Sequence, residues 1–464
     1  MKKNIIVTIT TLLLIGLLFQ SCKKEVFTPA DISELNPDDA ASNTELDQWL
    51  KTTFLDEYNM EVIYRYHRYY HEADRNVSPP KVEAVKPMMT TILEGYINPY
   101  KKIAGANFVK TNIPKEWVLF GSTSYDGSNT GYAGTASGGI RINLFGINGF
   151  SLSPSFVTGR LSVIHHEFTH ILNQRFIMPA DFQQITKSTY NGDWKSVLSD
   201  SAHNRGYVSS YASGSPVEDF AETASSLLVS GQSWYDNWVK TSGTEAGKKA
   251  LRLKEQSVVD YYNSSLGIDF RALQKEVQLY IKDVLKDTKA TFPYWLNLGL
   301  YKNITVNMND VMYSNYGSSA GFVKVYNDLR DSILAVNSTA KYRLDYIQFR
   351  FETPTALVLR AAFTATAGTS SGTQYFGDFS FSSAITPANG EIKFTKIAQG
   401  TGATFNNANL FISSFEKTIQ KFLTEDTFIG DWLPLSAPGS LYTKTGGFKQ
   451  KMTPQNYVYG TLEQ

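Results

Sequence analysis

The chain has 464 residues, past the size at which a single hydrophobic core keeps growing, so about two domains are expected. Hydrophobic residues make up 42% and aromatic residues 13%, which supports a large packed core and excludes a chain that is disordered throughout. Lys and Arg number 44 against 43 Asp and Glu, and the resulting net charge of +1 supplies no long-range pull on nucleic acid or on an anionic membrane.

Lys2 and Lys3 precede an apolar run from Ile5 to Phe19 that closes at Gln20 and Ser21, the pattern of a signal peptide over residues 1–21. The run is shorter than the about 20 apolar residues that a membrane-spanning helix needs. Cys22 is the chain's single cysteine, so no disulfide can form within the chain. Leu18-Phe19-Gln20-Ser21-Cys22 resembles a bacterial lipobox, departing from it at Phe19, and the resemblance implies lipidation of Cys22 as the first residue of the mature protein. Residues 22–45 are polar, carry Pro29 and Pro37, and read as a flexible tether.

Helical spacing begins between Leu46 and Phe54, and the β-branched and aromatic content of Glu57–His67 predicts a strand. A helix follows from about Pro80 to Ile103. Trp117–Phe120 and Gly139–Phe145 read as short strands separated by a Gly, Ser and Thr-rich loop, 121–138, that could border a cleft. The Gly139–Phe145 strand is a candidate for pairing with an extended peptide. Thr158–Phe176 predicts an amphipathic helix, because Leu161, Ile164, Phe168, Ile171 and Leu172 recur at three- and four-residue steps. Ser215 as N-cap and Pro216 at the first helical position open another helix that runs to about Val229. Further helices are expected over Thr244–Tyr262 and Phe270–Lys286. From about residue 290 the texture is β-rich, with strands near 342–351, 356–363, 375–381, 390–397, 440–445 and 456–462 and one helix near 406–423.

His166-Glu167-Phe168-Thr169-His170 matches H-E-x-x-H. Residues four apart share one helix face, so two imidazoles can meet one zinc ion, and Glu167 then lies beside the water that the zinc activates. A catalytic zinc usually has three protein ligands. A further histidine six residues beyond His170 is absent, since Phe176 stands there and Asn173 replaces the glycine of that longer motif. A glutamate on a later helix is the remaining common solution, and Glu218-Asp219-Phe220-Ala221-Glu222 offers two carboxylates one turn apart. Ser215-x-x-Glu218 also fits a capping box, in which Glu218 would bond only the Ser215 amide.

Tyr211-Ala-Ser-Gly-Ser-Pro-Val-Glu218-Asp-Phe-Ala-Glu222 resembles the catalytic segment of lethal-factor-type metallopeptidases. Signal peptide, HExxH and EDFAE together are similar to the zinc-binding metallopeptidases of Bacteroidetes described as substrate import-associated zinc metallohydrolase lipoproteins, over about residues 45 to 285. The resemblance implies Glu218 as third zinc ligand, Tyr211 as the hydroxyl that steadies the oxyanion, and Glu222 as the carboxylate that orients a zinc-bound histidine. It implies a gluzincin-like peptidase acting on a protein or peptide, lipid-anchored at Cys22 in the cell envelope, on the outer membrane, and associated with a TonB-dependent transporter or nutrient-binding lipoprotein complex. The expected fold class is α+β, with a zincin-like metallopeptidase domain over residues 46–288 and a β-rich domain over 289–464. The competing expectation is a non-catalytic surface lipoprotein that keeps the zincin scaffold and binds a glycan or a transporter; Glu167 counts against it, because a scaffold has no physical need of that carboxylate. His165, His67, His71 and His203 lack a partner at ligand spacing and are expected to pack or to lie at the surface.

Overall fold

The computed structural model describes residues 44–125 and 131–464, with only the backbone of Gly131 and Tyr132. The predicted leader, Cys22 and the tether up to Asn43 lie outside the described residues. The chain divides at Thr52. Before that point lies the helix Glu45–Leu50, where the Thr44 side chain caps the Asp47 amide and Asp47 returns a bond to the Thr44 amide.

From Thr53 onward the architecture is mixed α and β, in two parts. The first holds a four-stranded sheet in the order β1-β2-β6-β5, from β1 (Glu61–Ile63), β2 (Glu116–Leu119), β5 (Gly134–Ser137) and β6 (Arg141–Leu144). β1, β2 and β6 run parallel and β5 antiparallel to β6. A small hairpin of β3 (Ser124–Tyr125) and β4 (Gly131–Tyr132) stands apart. The helices that matter to the site are α1 (Val82–Ile92), α2 (Asn98–Asn112), α3 (Pro154–Arg175), α4 (Pro216–Ser225), α5 (Gln232–Thr241), α6 (Glu245–Asp260) and α7 (Phe270–Leu279). No helix among the described residues is long and apolar enough to cross a membrane.

Two expectations for this part are corrected. Glu57–His67 is a strand only over Glu61–Ile63, because Asn59 turns the chain through a left-handed conformation (φ 51°) and β2 offers β1 a partner for just those three residues. The stretch 121–138, read as loop, contains β3, β4 and β5. Its Gly, Ser and Thr content masks an edge strand that holds its place by pairing with β6 rather than by its own apolar side chains. The edge position expected for Gly139–Phe145 therefore belongs to β5, and β6 is covered on both sides.

The second part is a closed antiparallel barrel, ordered β10-β11-β12-β13-β14-β7-β8-β9. Its strands are β7 (Asn303–Val306), β8 (Tyr342–Thr353), β9 (Ala356–Ala365), β10 (Gln374–Thr386), β11 (Glu391–Lys396), β12 (Phe428–Asp431), β13 (Thr445–Gln450) and β14 (Tyr457–Glu463). Its core is aromatic, with Phe349, Phe394 and Phe428 around Phe448 and the Phe379 and Phe415 rings stacked 3.5 Å apart. A helix absent from the sequence reading, α8 (Ala320–Ala335), lays Phe322, Tyr326, Leu329 and Ile333 on that core. The helix expected near 406–423 is a chain of short helical pieces between Ala403 and Thr424. The strand expected at 440–445 lies at 445–450 instead. Gly446-Gly447 looks like a turn in sequence, but a Cβ at Gly447 would come 2.0 Å from the Val458 carbonyl oxygen, so the close approach of β14 is what demands the glycine.

Phe448 is fully buried among Phe292, Phe349, Phe351, Phe394 and Phe428, so Phe448→Ala is expected to destabilise the protein by about 3–5 kcal/mol. Denaturant unfolding of the variant against the parent measures it; a loss below about 1 kcal/mol would mean the barrel core is not packed as described.

Candidate metal centre

α3 opens at Ser153-Pro154 and buries Val157, Leu161, Ile164, Phe168, Ile171 and Leu172 on one face. His165 belongs to that buried side. Its ring lies 5.5 Å from Tyr96 and 5.9 Å from Tyr100, and Nε2 is 3.4 Å from the Gly95 carbonyl oxygen. Burial lowers its pKa to about 4 against that hydrogen bond, so the imidazole is neutral and packed away from the site. His166 and His170, four residues apart, turn to the other side and meet α4.

Ser215 caps α4, its Oγ accepting from the Glu218 amide at 3.4 Å, while Pro216 occupies the first turn. The reciprocal half of a capping box is missing, because the Glu218 carboxylate points at the histidines. Glu218 Oε2 lies 3.1 Å from His166 Nε2 and 3.2 Å from His170 Nε2, and the two imidazole nitrogens are 3.0 Å apart. His166, His170 and Glu218 thus bring three ligand atoms into one cluster, each within 4.8 Å of the others. Tetrahedral zinc with bonds of about 2.0–2.2 Å sets its ligand atoms about 3.3–3.6 Å apart, so the observed triangle is that of a metal site within a few tenths of an ångström.

Glu222, one turn after Glu218, puts Oε1 2.9 Å from His166 Nδ1. The distance suits a hydrogen bond but the angle does not, and Nδ1 has no aligned partner in this conformation. The other carboxylate oxygen accepts from Ser209 Oγ at 2.7 Å, and the same Oγ accepts from the Ala212 amide at 3.0 Å. Ser209, which the sequence did not signal, thereby ties Glu222 to the turn Tyr211–Gly214. Burial alone would lower the His166 imidazole, but Glu218 and Glu222 reverse this and lift it to about 9. Burial alone would raise Glu218, but the bonds from His166 and His170 hold its carboxyl well below the usual carboxylate range. The two shifts are the two sides of one contact, the imidazoles against the carboxylate.

Glu167 faces β5, where the Ala136 amide donates to its carboxylate. Burial raises the Glu167 carboxyl above its ordinary value against the pull of His166, His170 and that amide. The β5–β6 register pairs Thr135 with Asn143, and the Ala133 carbonyl accepts from the Phe145 amide, so Gly134 and Ala136 turn their backbone groups away from β6. Gly134 must stay small here, since a Cβ would come 2.4 Å from Val163 on α3. Tyr211 closes the site from above, its ring 5.8 Å from His166 at 29° and 5.0 Å from Trp194. Burial and the Glu218 charge push its phenol well above the ordinary value, and the hydroxyl bonds to Glu218.

Behind α4, Asp219 is fully buried and lies 2.7 Å from the equally buried Lys254 of α6. Tyr190 donates to Asp219 at 2.8 Å, Lys254 donates to the Gly206 carbonyl at 2.7 Å, and the ammonium lies 3.8 Å from the Tyr207 ring centre. Burial pushes Asp219 up to about 6 and Lys254 down in spite of their pairing. Nothing at the sequence level marked Lys254, which reads as an ordinary lysine of an amphipathic helix. The other histidines stay away from the cluster: His71 bonds Tyr66 at the surface, His67 is exposed, and His203 stacks on Trp238 at 3.8 Å. Glu72 pairs with Arg75.

Residues 39–271, 233 of the 464, match the model of the family described as "Putative zinc-binding metallo-peptidase". Among solved structures the chain is similar to a "putative zinc-binding metallo-peptidase" from Bacteroides caccae ATCC 43185, at 24% identity and a TM-score of 0.46, over 54% of this chain and 96% of that one. No curated protein matches.

Lys254→Met leaves Asp219 buried without its counter-charge and is expected to cost about 3–5 kcal/mol, whereas Lys254→Met combined with Asp219→Leu should recover most of the loss. Urea unfolding of the single and double variants reads this directly; equal losses in both would show that the pairing of the two charges contributes nothing.

Proposed function

The chain belongs to this zinc-binding metallo-peptidase family, and from that premise we propose that it is a zinc-dependent hydrolase that cleaves peptide bonds in a protein or peptide substrate. The observation that carries the reading is the convergence of His166, His170 and Glu218 with Glu167 one residue from the first ligand. Two imidazoles and a carboxylate are the donor set of many catalytic zinc sites, and the anionic surroundings of His166 fit a cation. Zinc held there supplies a Lewis acid and makes water ionise near neutral pH.

The chain's own groups divide the remaining work. Glu167, raised above its ordinary value by burial, accepts the proton of the attacking water and returns it to the leaving amine. Its bond from the Ala136 amide holds the carboxylate toward the open side of β5. The Tyr211 hydroxyl, kept protonated by its surroundings, is a donor for the oxyanion that forms as the carbonyl is attacked. Glu222, 2.9 Å from His166 Nδ1 and fixed by Ser209, orients that ring once a small rotation brings the N–H into line. An extended substrate is aligned by pairing with the outward backbone groups of Gly134 and with the Ala136 carbonyl. Lipid attachment at Cys22, an outer-membrane location and service to a nutrient-uptake complex with a TonB-dependent transporter belong to the same proposal; the leader and Cys22 support the first two, and the resemblance of the leader, HExxH and EDFAE segments supports the third.

Purified protein is expected to carry about one zinc by elemental analysis, and His170→Ala to lose it. Glu167→Gln should keep the metal while peptide-library hydrolysis falls by about 10²–10⁴-fold. A protein that binds no zinc, or a Glu167→Gln variant with undiminished turnover, would remove the proposal. For the anchor, Cys22→Ser is expected to move the protein from the detergent phase to the aqueous phase on detergent partitioning and to abolish labelling by radioactive palmitate; labelling that persists would rule lipidation at Cys22 out.

A further inference from the structure

A cavity of about 530 Å³ opens beside the first half of α3, between the α4–α5 connection and the segment that leads into the barrel. Its size lies within the range of small-molecule sites. Four hydroxyl residues line it: Thr158 donates to the Pro154 carbonyl at 2.8 Å, and the Ser155, Ser162 and Ser230 hydroxyls have no hydrogen-bond partner among the described residues. Trp234, half-buried, supplies the aromatic surface, while Trp295 touches the wall from the core and is itself buried. Trp234 is braced from behind by Trp238, the rings stacked 5.2 Å apart at 14°, and Trp295 by the bond from its indole N–H to the Lys289 carbonyl at 2.7 Å. Both indoles are thus held in place before anything binds.

The lining selects a chemical class. An apolar side chain would strand the three hydroxyls without partners, which is costly. A strongly charged ligand finds Asp287 and Lys289 together at the wall, and their charges cancel. A ring with apolar C–H faces and hydroxyls around its edge satisfies both halves, laying its face on indole and its edge on serine. We infer that this cavity is a carbohydrate-binding site that takes a sugar ring of an oligosaccharide or glycoconjugate.

Its place relative to the metal centre follows from the helix. Ser162 precedes His166 by one turn, about 6 Å along the axis, and Ser155 lies two turns further back. A ligand seated in the cavity therefore lies along the same helix face as the metal ligands. The inference goes beyond the peptidase reading, because sugar binding would persist in a chain that cleaves nothing.

Gly159 provides a variant that cannot be dismissed as misfolded. It lines the cavity within a helix, a Cβ there meets nothing within 4 Å, and leucine is a better helix former than glycine. The test uses the zinc-loaded mature protein with maltose, cellobiose, lactose and N-acetyllactosamine, followed by saturation-transfer NMR and tryptophan fluorescence. At least one of these is expected to bind saturably, with affinity reduced at least tenfold in both Gly159→Leu and Trp234→Ala and unchanged in Glu167→Gln. Absence of binding by all four, or undiminished affinity in Gly159→Leu, overturns the inference. Peptide hydrolysis measured on the same samples keeps the two proposals separate: a protein that cleaves peptides and binds no saccharide loses this site alone, and one that binds saccharide without hydrolysis loses the peptidase reading alone.

Discussion

The direction of α4, and with it the metal centre, hangs on one buried ion pair. Asp219 and Lys254 have no exposed surface and sit 2.7 Å apart, and each charge would be prohibitive in that place without the other. The pair tolerates little rotation, since Tyr190 and Thr223 bond the carboxylate and the Gly206 carbonyl and Tyr207 ring hold the ammonium. Neighbouring residues on a helix point about 100° apart. Fixing Asp219 inward toward α6 therefore turns Glu218 and Glu222, which share a face, toward α3. Asp219, the acid next to Glu218 in the EDFAE segment, is thus spent on holding the other two acids in place.

On the opposite side of α3 the constraint is one of distance. β5 contributes almost no apolar anchoring, and it stays because it pairs with β6 and because Gly134 lets its backbone come against Val163. That approach brings the Ala136 amide within reach of Glu167. Metal ligands and the neighbouring carboxylate thus answer to two separate supports, α4 through the ion pair and β5 through the ladder, and α3 is the piece they have in common.

Much of this was legible in the sequence where periodicity carries the signal. The apolar steps from Leu161 to Leu172 placed α3, and Ser215-Pro216 placed the start of α4, within a few residues of the observed ends. His166, His170 and Glu218 could be brought together on paper only with the help of a resemblance, because nothing in helical spacing says which later helix will cross α3. What escaped has a common cause. β5, β13, Ser209 and Lys254 owe their roles to partners distant in the chain, and their own residues are glycines, serines and a lysine whose local preferences point to loops or solvent. The overlong strand at Glu57–His67 is the converse error, where strand-like side chains lacked a partner strand to pair with.

The two faces of α3 show why so polar a helix can sit at the middle of the fold. Its residues Leu161, Ile164, Phe168, Ile171 and Leu172 go into the core together with the neutral His165, and that face holds the helix in place. Ser155, Gly159, Ser162, His166 and His170 follow one another at steps of three and four along the other side. A stripe of serine, glycine and histidine contributes little to packing and would ordinarily face water. Here it is half enclosed along its whole length, by the walls of the cavity at its start and by α4 at its end. The core face makes α3 rigid, and the rigidity is what allows groups as unequal as a hydroxyl and an imidazole to be held in register along a single edge.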